Sequence, residues 1–164
     1  MQKPLFNRIA IVGVGLIGGS IGLAVKKRRL ARWVVGVTRR KETAINAVKK
    51  KAVDVATLDL AEGVKGADLV ILCAPVSTII KQLPLIKPYL KKNALVIDVG
   101  SSKGQIESAA NKYLKGNMFV GCHPMAGSAC LGVENAYADL FRGAQCFVTR
   151  KNTSVIRFWK MLGA

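Results

Sequence analysis

The stretch RIAIVGVGLIGGSIG constrains this chain more than any other. A β-prone apolar run ends at Gly13, Gly15 and Gly18 follow, and a helix-period segment opens at once. A strand that turns so abruptly into a helix needs glycine at these places: Gly13 for the tight turn, Gly15 so that backbone can approach a bound group, and Gly18 for close helix–strand packing. The N–H groups at the helix start, those of Leu16 and Ile17 among them, have no intrahelical partners and present the positive end of the helix dipole. GxGxxG spacing by itself also occurs in ordinary glycine-rich turns. Between a strand and a helix near the amino terminus it reads as a pyrophosphate cradle, and so as a dinucleotide site.

The rest of the 164 residues alternates in the same way. Short β-rich runs at 8–13, 33–38, 53–56, 67–73, 94–100, 118–122 and 144–149 are separated by helix-period segments at 16–31, 41–51, 76–90 and 103–115, and a last one follows at 153–162. This predicts βαβ units with right-handed crossovers, giving a doubly wound, mostly parallel α/β sheet of the Rossmann type. The length suits one domain over residues 1–164. Ligands of such sheets sit beyond the carboxyl ends of the strands, so motifs at that edge gain weight. No apolar run is as long as a membrane span, and the opening MQKPLFNR is too polar to begin a secretory signal. Cys73, Cys122, Cys130 and Cys146 lack metal-ligand spacing and read as reduced core thiols of a cytoplasmic protein with no metal site.

The net charge of +17 raises the question of a polyanionic partner. Half of the basic residues fall at predicted helix carboxyl ends: Lys26, Lys27, Arg28, Arg29 and Arg32, then Lys49, Lys50 and Lys51, then Lys87, Lys91 and Lys92, then Lys112 and Lys115. Cations there complement the helix dipole, and in this fold those ends face away from the ligand edge. Interleaved aromatics and nucleic-acid motifs are absent, so the expectation is no nucleic-acid and no membrane partner.

The end of the second strand selects the dinucleotide, because an acidic residue about 20 positions past the glycines accepts hydrogen bonds from the adenosine ribose of NAD. Here it reads GVTRRK, with Thr38 at the acidic position and Arg39 and Arg40 after it. A 2′-phosphate suits these guanidinium groups, which bind phosphate in a planar fork. The pattern points to NADP, with NAD the alternative and surface arginines the bland reading.

Two more loops fall at strand carboxyl ends: DVGSSKGQ, with Asp98, Gly100, Ser101, Ser102 and Lys103, and GCHPMAGS, with His123, the only histidine. That location favours a functional imidazole over a structural one. Together GVGLIGGSIGLAV, ADLVILCAPVSTI, VIDVGSSKGQI, FVGCHPMAGS and GVENAYADLFRGAQCFVT resemble the amino-terminal half of prephenate and arogenate dehydrogenases, the oxidoreductases of tyrosine biosynthesis. The HPMAG stretch paired with DxGS is far more specific than the glycines.

The resemblance implies oxidative decarboxylation of prephenate or arogenate, with hydride transfer to the coenzyme. His123 matches the catalytic histidine, which in its neutral form takes up the proton of the substrate hydroxyl. Ser101 matches the serine that contacts the same hydroxyl and helps hold the imidazole, although Ser102 is adjacent. Cys73, Ala74 and Pro75 would lie along the coenzyme, or else form a plain strand-to-helix turn. The resemblance also implies a further helical domain that forms a homodimer and supplies an arginine for the substrate carboxylate. These 164 residues alone are then expected to bind coenzyme but turn over poorly, with the last helix, through Val155, Ile156, Phe158, Trp159 and Leu162, short of packing partners. Two alternatives stay open: another NADP-dependent dehydrogenase or imine reductase of the β-hydroxyacid type, indifferent to His123, and a non-catalytic basic binder of nucleotides or nucleic acid.

Overall fold

The computed structural model describes residues 3–114 and 118–164. Seven strands form one sheet: β1 (Phe6–Val12), β2 (Ala31–Val37), β3 (Val55–Thr57), β4 (Leu69–Leu72), β5 (Leu95–Asp98), β6 (Phe119–Pro124) and β7 (Cys146–Val148). Their order is β3-β2-β1-β4-β5-β6-β7. The first six are parallel and β7 runs antiparallel to β6. The chain reverses direction across the sheet after β3, returning to pair β4 with β1. That switch point is the Rossmann-like arrangement the alternation predicts.

Both faces of the sheet are covered, which explains why its central strands read as continuous apolar runs, such as Leu69–Leu72 of β4, rather than alternating. Ile9 and Ile11 join Ile21, Val25, Phe141, Phe158 and Trp159 on one side, while Ala10 and Val12 join Val70, Leu72, Ile79, Leu83 and Ile106 on the other. The first layer is built on α1 (Leu16–Lys27), α2 (Lys41–Lys49) and α6 (Thr153–Leu162), the second on α3 (Leu60–Val64), α4 (Val76–Ile86) and α5 (Gly104–Tyr113). None of the described helices is long and apolar enough to cross a membrane.

Several expectations need correction. The first helix stops at Lys27, not at 31, because Arg29 takes a left-handed φ of 54° and the Leu30 N–H turns back to the Val25 carbonyl at 2.9 Å. This frees Ala31 to begin β2. The short α3 escaped prediction, although Asp59 caps it by accepting from the Glu62 N–H at 3.1 Å. The fourth helix gives way to a 3-10 turn at Lys87–Tyr89, and the fifth ends at Tyr113, so Lys115 lies outside the described residues. In α6, Val155, Phe158, Trp159 and Leu162 are buried and Ile156 is half-buried, and Trp159 meets Phe141 and Phe158 edge to face although its indole N–H has no partner among the described residues. Cys130 is exposed, so not all four thiols are core groups.

Of the cations predicted at helix ends, Arg32 lies within β2 and Lys50 bonds the Glu134 backbone beside the cavity, while several others are paired. Lys26 pairs with Asp54 just before β3, Lys91 with Asp68 just before β4, and Lys27 and Arg28 share Asp139. Such exposed or partly exposed pairs add little to stability, because solvent screens them.

Candidate active site

The glycine cradle is built almost entirely of backbone. Gly13 has a φ of +98°, and its N–H donates to the Val37 carbonyl at 2.9 Å. A Cβ there would stand 2.9 Å from the Cys73 carbonyl carbon, so the turn is closed to other residues by conformation and by space. A Cβ on Gly18 would come within 2.2 Å of the Gly13 oxygen, which fixes how tightly α1 approaches the strand end. Gly15 differs, since a Cβ on it would meet nothing within 4 Å, and it faces open space in a cavity of about 520 Å³. It is also the N-cap of α1, without a side-chain cap and with no acidic residue in the first turn. The donors of Leu16, Ile17 and Gly18 at that helix start therefore remain available to an anion. A pyrophosphate fits here: the approach is open, the donors are unspent and the dipole is favourable.

From the cradle the cavity extends over the carboxyl ends of β2 and β4. Arg39 and Arg40 are exposed and line it, as do Cys73, Ala74 and Pro75. Thr38 is buried, its N–H bonded to the Thr57 carbonyl at 3.0 Å and its hydroxyl donating to the Arg40 carbonyl at 3.1 Å. Thr38 thus shapes the loop. The far wall comes from an unforeseen source, the 3-10 turn Val133–Asn135 and the preceding Gly132. Gly19 lets this turn approach, since a Cβ on it would lie 2.9 Å from the Val133 and Ala136 side chains, and Ser20 accepts the Tyr137 N–H at 3.1 Å.

Beyond this cavity, along the same edge, β5 and β6 end side by side. Asp98, the last residue of β5, is fully buried and receives the Gly100 N–H at 2.8 Å and the Cys122 N–H at 3.4 Å. Lys103 forms an ion pair with it and also donates to the Cys122 carbonyl at 2.7 Å. Burial pushes the Asp98 carboxyl up, opposed by Lys103 and the two N–H donors. This ionic tie fixes the backbone immediately before His123.

The sixth strand runs two residues past its expected end, so His123 lies within β6 rather than after it, opposite Phe147 of β7. The antiparallel pairing with β7 explains the extension. His123 is half-buried, and Ser101, in the turn after β5, is exposed. No hydrogen bond joins the two among the described residues, and neither lines the 520 Å³ cavity.

A family model described as prephenate dehydrogenase, nucleotide-binding domain, matches residues 21–164. The chain belongs to the prephenate dehydrogenase family. The match begins after the glycine cradle, which is therefore a separate observation. A prephenate dehydrogenase of Lactococcus lactis is 35% identical over 161 residues, covering 96% of this chain and 45% of that protein. Among solved structures, prephenate dehydrogenase from A. aeolicus in complex with hydroxyphenyl propionate and NAD+ has a TM-score of 0.88 at 28% identity, covering 96% of this chain and 57% of that one. Synechocystis arogenate dehydrogenase has a TM-score of 0.86 at 32% identity, covering 95% and 57%. The chain spans about half the length of the curated relatives it matches.

In this prephenate dehydrogenase family domain, sequence reasoning missed two features. Lys103 received no role, though it stands five residues after Asp98 and the DVGSSK spacing brings both to one strand end. The Val133–Asn135 turn lies in the GVENAYADLF stretch that carries the resemblance, but nothing there marks a cavity wall, and only the small residues Gly19 and Ala136 hint at its docking.

Proposed function

We propose that the protein is a cytoplasmic enzyme that catalyses oxidative decarboxylation of prephenate or arogenate with NADP as preferred coenzyme, and that residues 1–164 are its coenzyme-binding part. The observation that carries this reading is the shared edge: the arginines after β2, the open glycine cradle after β1 and His123 near the end of β6 follow one another along the carboxyl ends of the strands. A nicotinamide dinucleotide would supply the hydride acceptor. Gly15 and the first N–H groups of α1 would hold its pyrophosphate, and Arg39 and Arg40 its 2′-phosphate.

In this reading the His123 imidazole accepts the proton of the substrate's ring hydroxyl as hydride leaves the same carbon. The Ser101 hydroxyl donates a hydrogen bond to that oxygen. The dienone so formed loses carbon dioxide, its C–C bonding electrons passing into the ring, and aromatisation makes the step effectively irreversible. A helical domain shared between two subunits completes the substrate pocket, so residues 1–164 alone bind coenzyme and turn over poorly.

Support for NADP comes from Thr38, which offers no carboxylate and spends its hydroxyl within the loop, while two guanidinium groups line the cavity. The test is coenzyme reduction by the full-length enzyme with prephenate and with arogenate, in NADP and in NAD. Turnover with either substrate that favours NADP, and loses that preference by about tenfold in Arg39→Ala, is the expected result. Absence of turnover with both substrates contradicts the activity, and a preference for NAD contradicts the arginine assignment.

A further inference from the structure

The second strand ends without the carboxylate that ordinarily receives an adenosine ribose, yet the cavity beyond it is not without acid. Glu134 lines this cavity, together with Arg39, Arg40 and Asn46. It arrives from the turn after β6, more than 90 residues further along the chain. Two contacts hold it over α2: the Asn46 amide donates to its Oε1 at 2.8 Å, and the Lys50 ammonium donates to its backbone carbonyl. The turn that carries it is anchored on α1 by the contacts of Gly19 and Ser20 already described.

We propose that Glu134 is a coenzyme-selecting residue, a carboxylate supplied from across the fold that accepts from the ribose hydroxyls of the adenosine and opposes a 2′-phosphate. The proposal rests on reading the cavity as the adenosine end of a dinucleotide site. Selection is then a balance on one wall. Arg39 and Arg40 attract the 2′-phosphate, and Glu134 repels it while offering the carboxylate that Thr38 lacks.

The charge of Glu134 is secure at working pH. Its own backbone N–H, then the Asn46 amide, then the Lys50 and Arg40 charges hold its carboxyl below the ordinary carboxylate range. Glu42 also lines the cavity, from the first turn of α2, but none of the described hydrogen bonds fixes its carboxylate there. It therefore serves as the comparison.

The test is calorimetric titration of the protein with NADP, NAD, adenosine 2′-phosphate and adenosine 5′-phosphate. Glu134→Gln keeps an oxygen that can accept from Asn46, so it removes charge while retaining the tether. The expected result is a rise of about fivefold or more in the NADP-to-NAD affinity ratio, a matching gain for adenosine 2′-phosphate over the 5′-phosphate, and a shrinking of both gains at high salt. Glu42→Gln should change the ratio less than about twofold. A ratio left unchanged by Glu134→Gln, or an equal shift in Glu42→Gln, overturns the proposal while nucleotide binding stands. Failure of the native protein to bind any of the four overturns the dinucleotide reading itself, and the proposal with it.

Discussion

The two ends of the strand edge are made of different materials. Over β1 the site is backbone, three glycines and the first N–H groups of a helix, with the side chains of Arg39, Arg40 and Glu134 set beyond it over β2. Over β5 and β6 it is side chains, with a buried carboxylate, the lysine that pairs with it and a half-buried histidine. Backbone recognition requires the absence of side chains at fixed places, and a contiguous motif can specify it. The second end requires several side chains, brought together from separate segments, to be held in register.

This contrast can be tested by breaking each end separately. The largest effect is expected from His123→Asn, which should lower turnover by roughly 100-fold or more while coenzyme affinity stays within about twofold, as steady-state kinetics and calorimetry would show. An unchanged rate would favour a dehydrogenase of the β-hydroxyacid type. Next comes Lys103→Met, which leaves Asp98 buried without its cation and should cost roughly 3 kcal/mol of stability in denaturant unfolding.

That loss has a pH signature. The folded Asp98 carboxyl is already raised above its ordinary value of 3.8, and losing Lys103 raises it further. A native state that holds a proton the unfolded chain releases loses stability as pH rises. The deficit of Lys103→Met should therefore be smallest below both folded values of the Asp98 carboxyl, grow as pH rises from the native one to the higher one of the variant, and reach its full size above the latter. A deficit independent of pH would mean that the pair acts only through packing.

The glycine end gives the smaller and more selective effects. Gly18→Ala forces a Cβ toward the Gly13 oxygen and should cost roughly 2 kcal/mol of stability. Gly15→Ala meets open space, so its melting temperature should barely move while coenzyme affinity falls about tenfold. Equal stability losses in the two variants would contradict the distinction between a packing glycine and a ligand-facing one.

The same division explains what was legible in the sequence. Gly13, Gly15 and Gly18 announced themselves because their spacing and their position between strand and helix encode local geometry. His123 was legible by its place at the end of an apolar run, although the strand reached past it, because the pairing with β7 that lengthens β6 is a long-range contact no local pattern records. The docking of Glu134 near Asn46 was hidden for the same reason, whereas the Asp98–Lys103 tie spans only five residues and was open to a reading of the DVGSSK spacing. Arg29 misled in another way, since a helix-favouring arginine occupies a left-handed position where glycine would have marked the end of α1.

In the proposed function these two ends form one coenzyme track, and following backbone amide resonances of the isotope-labelled protein as nucleotide is added puts this to the test. ADP should shift Gly13–Gly18, Thr38–Arg40 and Gly132–Glu134 alone, whereas NADP should shift these together with Ser101 and His123. Shifts at Ser101 and His123 with ADP as large as with NADP, or none at the glycines with either, would contradict it.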